Sequence, residues 1–461
     1  MTRHPPTTPP EGSDRDESSP TRPGPIGKIP GRRRKPVAVA AATFALMLVV
    51  LVAVLGIGGG DEPATSSAAA QGAARTTQAQ IAKLEAAARQ RPDDADSFVM
   101  LAAALLQSVR ETGDVSAYDR ADRAIARALK LDPSNAGAYG ERGILRLARH
   151  DFSGALSDGR RARKLAPGLV APLGVVVDAN IELGRYQETE RVLQRMVDLK
   201  PNLSSYSRVA YYRELQGDLD GASVALALAA SAGGAAPENV AFVQVLMGNI
   251  ELAQGRLPQA KRAFDAALAG FDEYPAANAG LANLDAAQGR LGPAIERMKR
   301  VVERLPTVGY IITLGELQLA DGREQEGRRT LELVAATRQL LGAAGVNTDA
   351  EIAIYEADHG DPKQAVKLAR SAWSSAPSVR SADALGWALT RAGMAREGLA
   401  YGRRALRLGS RDSSFLFHAG MSAKAAGRPK EAERLLRSAL SANPAFSPLH
   451  ARTARRALED L

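Results

Sequence analysis

Between about residue 95 and residue 444, small and apolar side chains return in a fixed order that spans two helix lengths and then starts again. The clearest marker is a turn position, occupied by His150, Gly184, Gly217, Gly255, Gly289, Gly322, Gly360, Gly393 and Gly427, with steps of 34, 33, 38, 34, 33, 38, 33 and 34 residues. Five residues after the turn stands a small side chain in most units, such as Ala155, Ala222, Ala260 or Ala432, and seven residues later another, such as Ala162, Ala229, Ala267 or Ala439. Residues seven apart share one face of a helix, so each unit predicts a second helix with a small-residue face turned to a neighbour. Small side chains let helix axes approach closely. Several units close with a proline, at Pro133, Pro167, Pro201, Pro306, Pro377 and Pro444, where the missing N–H ends one helix and starts the next.

The stretch from Phe242 to Phe271 carries Leu246, Gly248, Gly255, Ala260, Phe264 and Ala267, and Asp412 to Pro444 repeats the order with Gly420, Gly427, Ala432, Leu436 and Ala439. This pattern resembles the tetratricopeptide repeat (TPR). Tyr139 and Tyr206 stand where that family has an aromatic opening the first helix, whereas Ala282 and Ala353 replace its first-helix glycine and His150 its turn glycine. The resemblance implies an all-α, right-handed superhelical solenoid of about ten TPR-like helix-turn-helix repeats. It also implies an adaptor, not an enzyme, that binds a protein or peptide partner in the groove lined by the first helices. The two steps of 38 mark longer connections near Gly233 to Asn239 and Leu341 to Asn347, and the first unit has extra residues around Arg110 to Val115. These read as tolerated loops at the edge of the array.

Ahead of the repeats the composition changes. Residues 1–36 are Pro- and Ser-rich with few large apolar side chains, and read as a disordered cytoplasmic tail. A transmembrane helix is expected at 37–58, because Val37 to Ile57 has no charge and twelve of its residues are Val, Leu, Ile or Phe. Such a run favours insertion by about 4 to 7 kcal/mol, and a helix of that length spans about 32 Å, against a hydrocarbon core of about 30 Å. Arg32, Arg33, Arg34 and Lys35 precede it and Asp61 and Glu62 follow it, which orients the repeats away from the cytoplasm. The rival reading is a signal peptide cut in the alanine-rich stretch Ala68 to Ala74. Residues 59–77 read as a flexible linker, 78–444 as the solenoid, opened by a helix at Gln78 to Arg91, and 445–461 as a C-terminal capping helix. The Ala, Arg and Gly bias suggests a bacterial source.

Net charge is +9, but the first 36 residues contribute +4 and the linker −1, which leaves about +6 across nearly 400 residues. Aromatics are 5% of the chain and no basic run occurs inside the repeats, so no nucleic acid is expected as a partner. There is no cysteine, which excludes disulfides and thiolate metal sites. Phosphate-loop, nucleophile-elbow and HExxH patterns are absent, so neither catalytic residues, metal nor cofactor is expected. His359, with Glu356, Asp358 and Asp361 nearby, reads as a solvated helix corner.

Carrying the repeat register along the first helices selects the inner face. It gives Asp178, Tyr211, Asn249, Asn283, Glu316, Ile354, Trp387 and Met421 in successive units, with Glu214 one turn further along from Tyr211 and Arg380 and Arg391 on the last units. The expected groove is polar to acidic at its centre, and basic at its C-terminal end through Arg380, Arg391 and Lys424. A segment ending in a carboxylate would meet that basic end. The alternative is an envelope receptor that holds a small ligand or ion and signals to a neighbouring membrane protein.

Overall fold

A computed structural model describes residues 68–461 apart from residue 235, with side chains from residue 76 onward. The expected tail and membrane span, residues 1–58, lie outside the described residues, among which no helix is long and apolar enough to cross a membrane. Among the described residues every regular element is an α-helix, from Ala68–Gln90 to His450–Glu459, and the array is a solenoid of antiparallel helix pairs.

One pair shows why the units form. Pro237–Ala253 ends at Gly255, whose φ of 68° lets the N–H of Arg256 reach back to the carbonyl of Glu251 at 2.8 Å. That bond satisfies a carbonyl the helix would otherwise leave unpaired. Pro258 then opens Leu257–Gly270. Ala260 and Ala267 are fully buried, and Phe264 fills the space that Gly248 and Gly280 leave on two adjoining first helices. His150 makes the same left-handed turn with φ 62°. Gly360 does not: its φ is −123°, and Asp361 caps the next helix through the N–H of Lys363.

Two boundaries differ from the sequence expectation. The first helix begins at Ala68, inside the stretch assigned to the flexible linker, because alanine is the best helix former and outweighs the intervening Gly and Thr. The closing helix is His450–Glu459, shorter than its expected span.

The three insertions are not edge loops. Each is built mainly as extra helix: 18 residues in Ala95–Thr112, 17 in Pro237–Ala253 and 20 in Glu324–Ala343, against 13 or 14 in regular units such as Pro275–Ala287 and Leu257–Gly270. Their ends touch distant parts of the coil. Arg110 donates to Glu238 at 3.3 Å and to Asn239 at 2.9 Å, and Tyr274 donates to the other oxygen of Glu238 at 2.8 Å. Arg149 donates to the Ala344 carbonyl at 3.0 Å, and the Asn347 N–H donates to the Arg149 carbonyl at 3.2 Å. Tyr186 accepts from the Val379 N–H at 2.8 Å, and a Cβ at Gly184 would strike the Pro377 carbonyl oxygen. Successive superhelical turns are therefore in contact, and the groove between them closes into an interior cavity.

Candidate functional site

First helices from several turns converge on a partly open cavity of about 340 Å³. Six of the expected groove residues line it: Asp178, Tyr211, Asn249, Asn283, Glu316 and Arg380. Glu214, Trp387 and Arg391 do not.

Asp178 is 6% exposed and forms a two-point ion pair with Arg208, at 2.9 Å to Nε and 2.7 Å to Nη2. Burial pushes its carboxyl upward and the guanidinium opposes that rise. Tyr211 links two superhelical turns. Its hydroxyl donates to Glu182 at 3.1 Å and accepts from Arg380 Nε at 2.9 Å, and the Arg380 guanidinium carbon lies 5.4 Å from the centre of the Tyr211 ring. Burial disfavours charge on Arg380, yet Tyr211 and Glu182 hold it firmly protonated. Glu214 stands beside this group; burial pushes its carboxyl to about 8, with Arg380 opposing and Asp412 adding to the rise. Asn249 and Asn283 are half-buried, both from the inner faces of their helices. Glu316 is engaged by His359 Nε2 at 3.0 Å, so His359 reaches into the coil and is not a solvated corner residue.

Trp387 is a correction to the groove assignment. It is 4% exposed, stacked on His418 with ring centres 4.6 Å apart, and its Nε1–H donates to Asp358 at 2.9 Å. The next unit covers it, so its ring belongs to the C-terminal core. Arg391 is a second correction: its Nε donates to the Ala357 carbonyl at 2.8 Å and its guanidinium lies over Trp387. Lys424 binds Asp460 at 2.8 Å and the Ala457 carbonyl, on the closing helix. The basic C-terminal end is therefore not formed. Asp358, Asp383 and Asp412 line the cavity there instead.

Two of those aspartates carry imidazole partners. His418 Nδ1 lies 2.9 Å from Asp383, and His450 Nε2 lies 3.3 Å from Asp358. Burial works against charge on Asp358, but His450, His418 and the Trp387 N–H hold its carboxyl down at about 2. Burial opposes charge on His450 too, and Asp358 outweighs it, raising the imidazole above its usual value. Asp358 and Asp383 each lie one helical turn from a register residue, Ile354 and Trp387, so a register extended by four residues either way marks them. Among the described residues no group of three or more His, Asp or Glu side chains is arranged to hold a metal ion.

The tetratricopeptide-repeat family matches two stretches, residues 114–170 and 251–311. No curated protein sequence matches the chain. Similar solved structures include the Cut9–Hcn1 hetero-tetramer of the APC/C, at 15% identity over 83% of this chain and 93% of that one, with a TM-score of 0.33. Human IFIT1, solved as a dimer with PPP-AAAA, matches at 16% identity over 79% and 77%, with a TM-score of 0.39. The TPR domain of P58(IPK) matches at 16% over 80% and 99%, with a TM-score of 0.22. Repeats of this type generally mediate protein–protein interactions and are typically non-catalytic scaffolds. Both the matched stretches and the helix pairs on either side of them make this chain a helical solenoid that carries tetratricopeptide repeats.

Proposed function

We propose that this protein is a membrane-anchored TPR scaffold that binds an extended peptide segment of a protein partner in its interior cavity, outside the cytoplasm. The observation that carries the reading is the convergence of six first-helix side chains, from Asp178 to Arg380, on one partly open cavity. Side chains from separate repeats gathered around one space suit a segment with several contact points better than a flat protein surface. The anchor rests on the uncharged run Val37 to Ile57 and the basic residues before it. Nucleic acid is not assigned as the partner, since the basic residues are scattered and the cavity is acidic.

Photo-crosslinking in cells from a reactive residue at Asn249, with the exposed Lys261 as control, tests the partner. A discrete protein adduct from Asn249 alone is expected; equal labelling from both sites sinks the reading. For the anchor, Val49→Asp with Val50→Asp is expected to release the chain from membranes, and retention of the double variant would remove the anchor from the proposal. The cavity volume also falls within the range of small-ligand sites, about 300 to 1,000 Å³, which gives the receptor reading its support. A rise in melting midpoint with one small molecule, and no adduct at Asn249, would favour that reading.

A further inference from the structure

The charge lining the cavity is lopsided. Among the described residues, seven carboxylate side chains and a single guanidinium, that of Arg380, line the same space. Most of the seven already have a counterpart in the chain. Asp178 has Arg208, Glu316 has His359, and Asp358 and Asp383 have His450 and His418. Asp412 caps the helix Ser413–Ala425 by accepting from the N–H groups of Ser414 and Phe415. The last two come from different superhelical turns: Glu182, at the end of Ala171–Glu182, which shares Arg380 with Glu214, and Glu351, in the first turn of Asp349–His359.

Glu182 takes one hydrogen bond from the Tyr211 hydroxyl. Glu351 Oε2 is enclosed and has no hydrogen-bond partner among the described residues. Burial pushes the Glu182 carboxyl up, and Glu351 adds to that rise against Arg380, Tyr211 and His150. Arg380 does not relieve Glu351 directly, because its Nε is committed to Tyr211 and its charge is divided between Glu182 and Glu214. An enclosed carboxylate oxygen without a donor costs about 1 to 3 kcal/mol or more, and a like charge facing it adds to the cost. The space between them is open to a ligand group, and the missing element is a cation that donates hydrogen bonds.

We propose that the Glu182–Glu351 end of the cavity receives an organic cation, the ammonium or guanidinium group of a basic side chain on the bound peptide. This rests on the peptide-binding reading above and adds the partner's chemistry to it. A lysine or arginine side chain in that space offsets both carboxylates at once, because both line it. The half-buried amides of Asn249 and Asn283, on the same cavity wall, suit the polar backbone of an extended segment. A free polyamine carries the same ammonium chemistry, and the test separates it from a peptide.

Calorimetric titration of the full-length chain uses three probes: an alternating Lys-Ala peptide, its Glu-Ala counterpart and spermidine. The Lys-Ala peptide is expected to bind, and Glu351→Gln to weaken it by about tenfold or more, as for loss of one partner of a buried charge pair. The same variant should leave the melting midpoint of the unliganded chain unchanged or raised, since it removes a like charge that nothing offsets. A Glu351 that serves only its own helix N-terminus would instead lower that midpoint when replaced, with no change in affinity. If spermidine binds as tightly as the Lys-Ala peptide, the cation assignment stands and the peptide reading falls. If the Glu-Ala peptide alone binds, the peptide reading stands and the cation assignment is overturned. Binding by none of the three, or unchanged affinity in Glu351→Gln, also overturns it, while the crosslink at Asn249 decides the peptide reading separately.

Discussion

The regular units and the three lengthened ones hold different kinds of information. In the regular pair Pro275–Ala287 and Leu291–Arg304 the contacts are local: Ala279 and Ala282 share one buried cluster with Ala294, Ile295 and Met298. In the lengthened elements the added residues reach 128 to 197 positions along the chain, as Arg110 does to Glu238 and His150 to Asn347. The repeat specifies how neighbours stack, and the departures from the repeat specify how the coil closes. A feature discounted as a tolerated loop is the one that turns an open groove into a cavity.

That contrast predicts two kinds of damage. The largest effect is expected from Ala267→Arg, which forces a charge into a fully buried helix contact and should cost about 4 kcal/mol or more. Denaturant unfolding should show the loss across the array, and an unchanged midpoint would mean that the repeat register is misplaced. Glu238→Ala comes next. Its side chain is 1% exposed and holds Arg110 and Tyr274 together, so its removal leaves a buried guanidinium short of its charge partner, at about 3 kcal/mol. Here the loss should be confined: hydrogen exchange should quicken around residues 107–113 and 236–242 and leave Leu257–Gly270 protected. Uniform quickening would abolish the distinction between stacking and closure.

A smaller effect concerns buried titratable groups. The Glu214 carboxyl, pushed to about 8 by burial, and that of Glu141, pushed to about 7 by burial, hold protons in the folded chain that the unfolded chain has released. Their penalty is absent below the ordinary value of 4.5 and complete above their folded values. His450, raised by Asp358, contributes stability that is likewise lost as pH rises above 6.5. The melting midpoint is therefore expected to fall by a few degrees between pH of about 6 and about 8. Glu214→Gln should flatten that fall, and a midpoint that rises across the window would contradict the burial of these groups.

How far the site was legible follows from the same contrast. Asp178, Tyr211 and Asn249 were found because the inner face of a first helix is set by its own repeat. Trp387 occupies the equivalent register position and still missed the cavity, because His418 of the next unit stacks on it and Asp358 of the preceding one takes its N–H. Arg391 and Lys424 suggested a basic end by charge alone, but their heads return to the Ala357 and Ala457 carbonyls of their own chain. Glu351 carried no sequence signal at all, since the carboxylate that gives it meaning, Glu182, is 169 residues away and on another turn. The early start of the first helix was missed for a plainer reason: the sequence from Ala68 was weighed by its Gly and Thr and not by its alanines.

A coil whose turns touch nothing is a spring, and pulling on its ends stretches it smoothly. Here Arg110 with Glu238, and Arg149 with Ala344, fasten one winding to another. Tension applied through the chain ends loads those fastenings before it reaches the helix pairs, so the first extension under force comes as discrete releases, each opening the cavity by one winding.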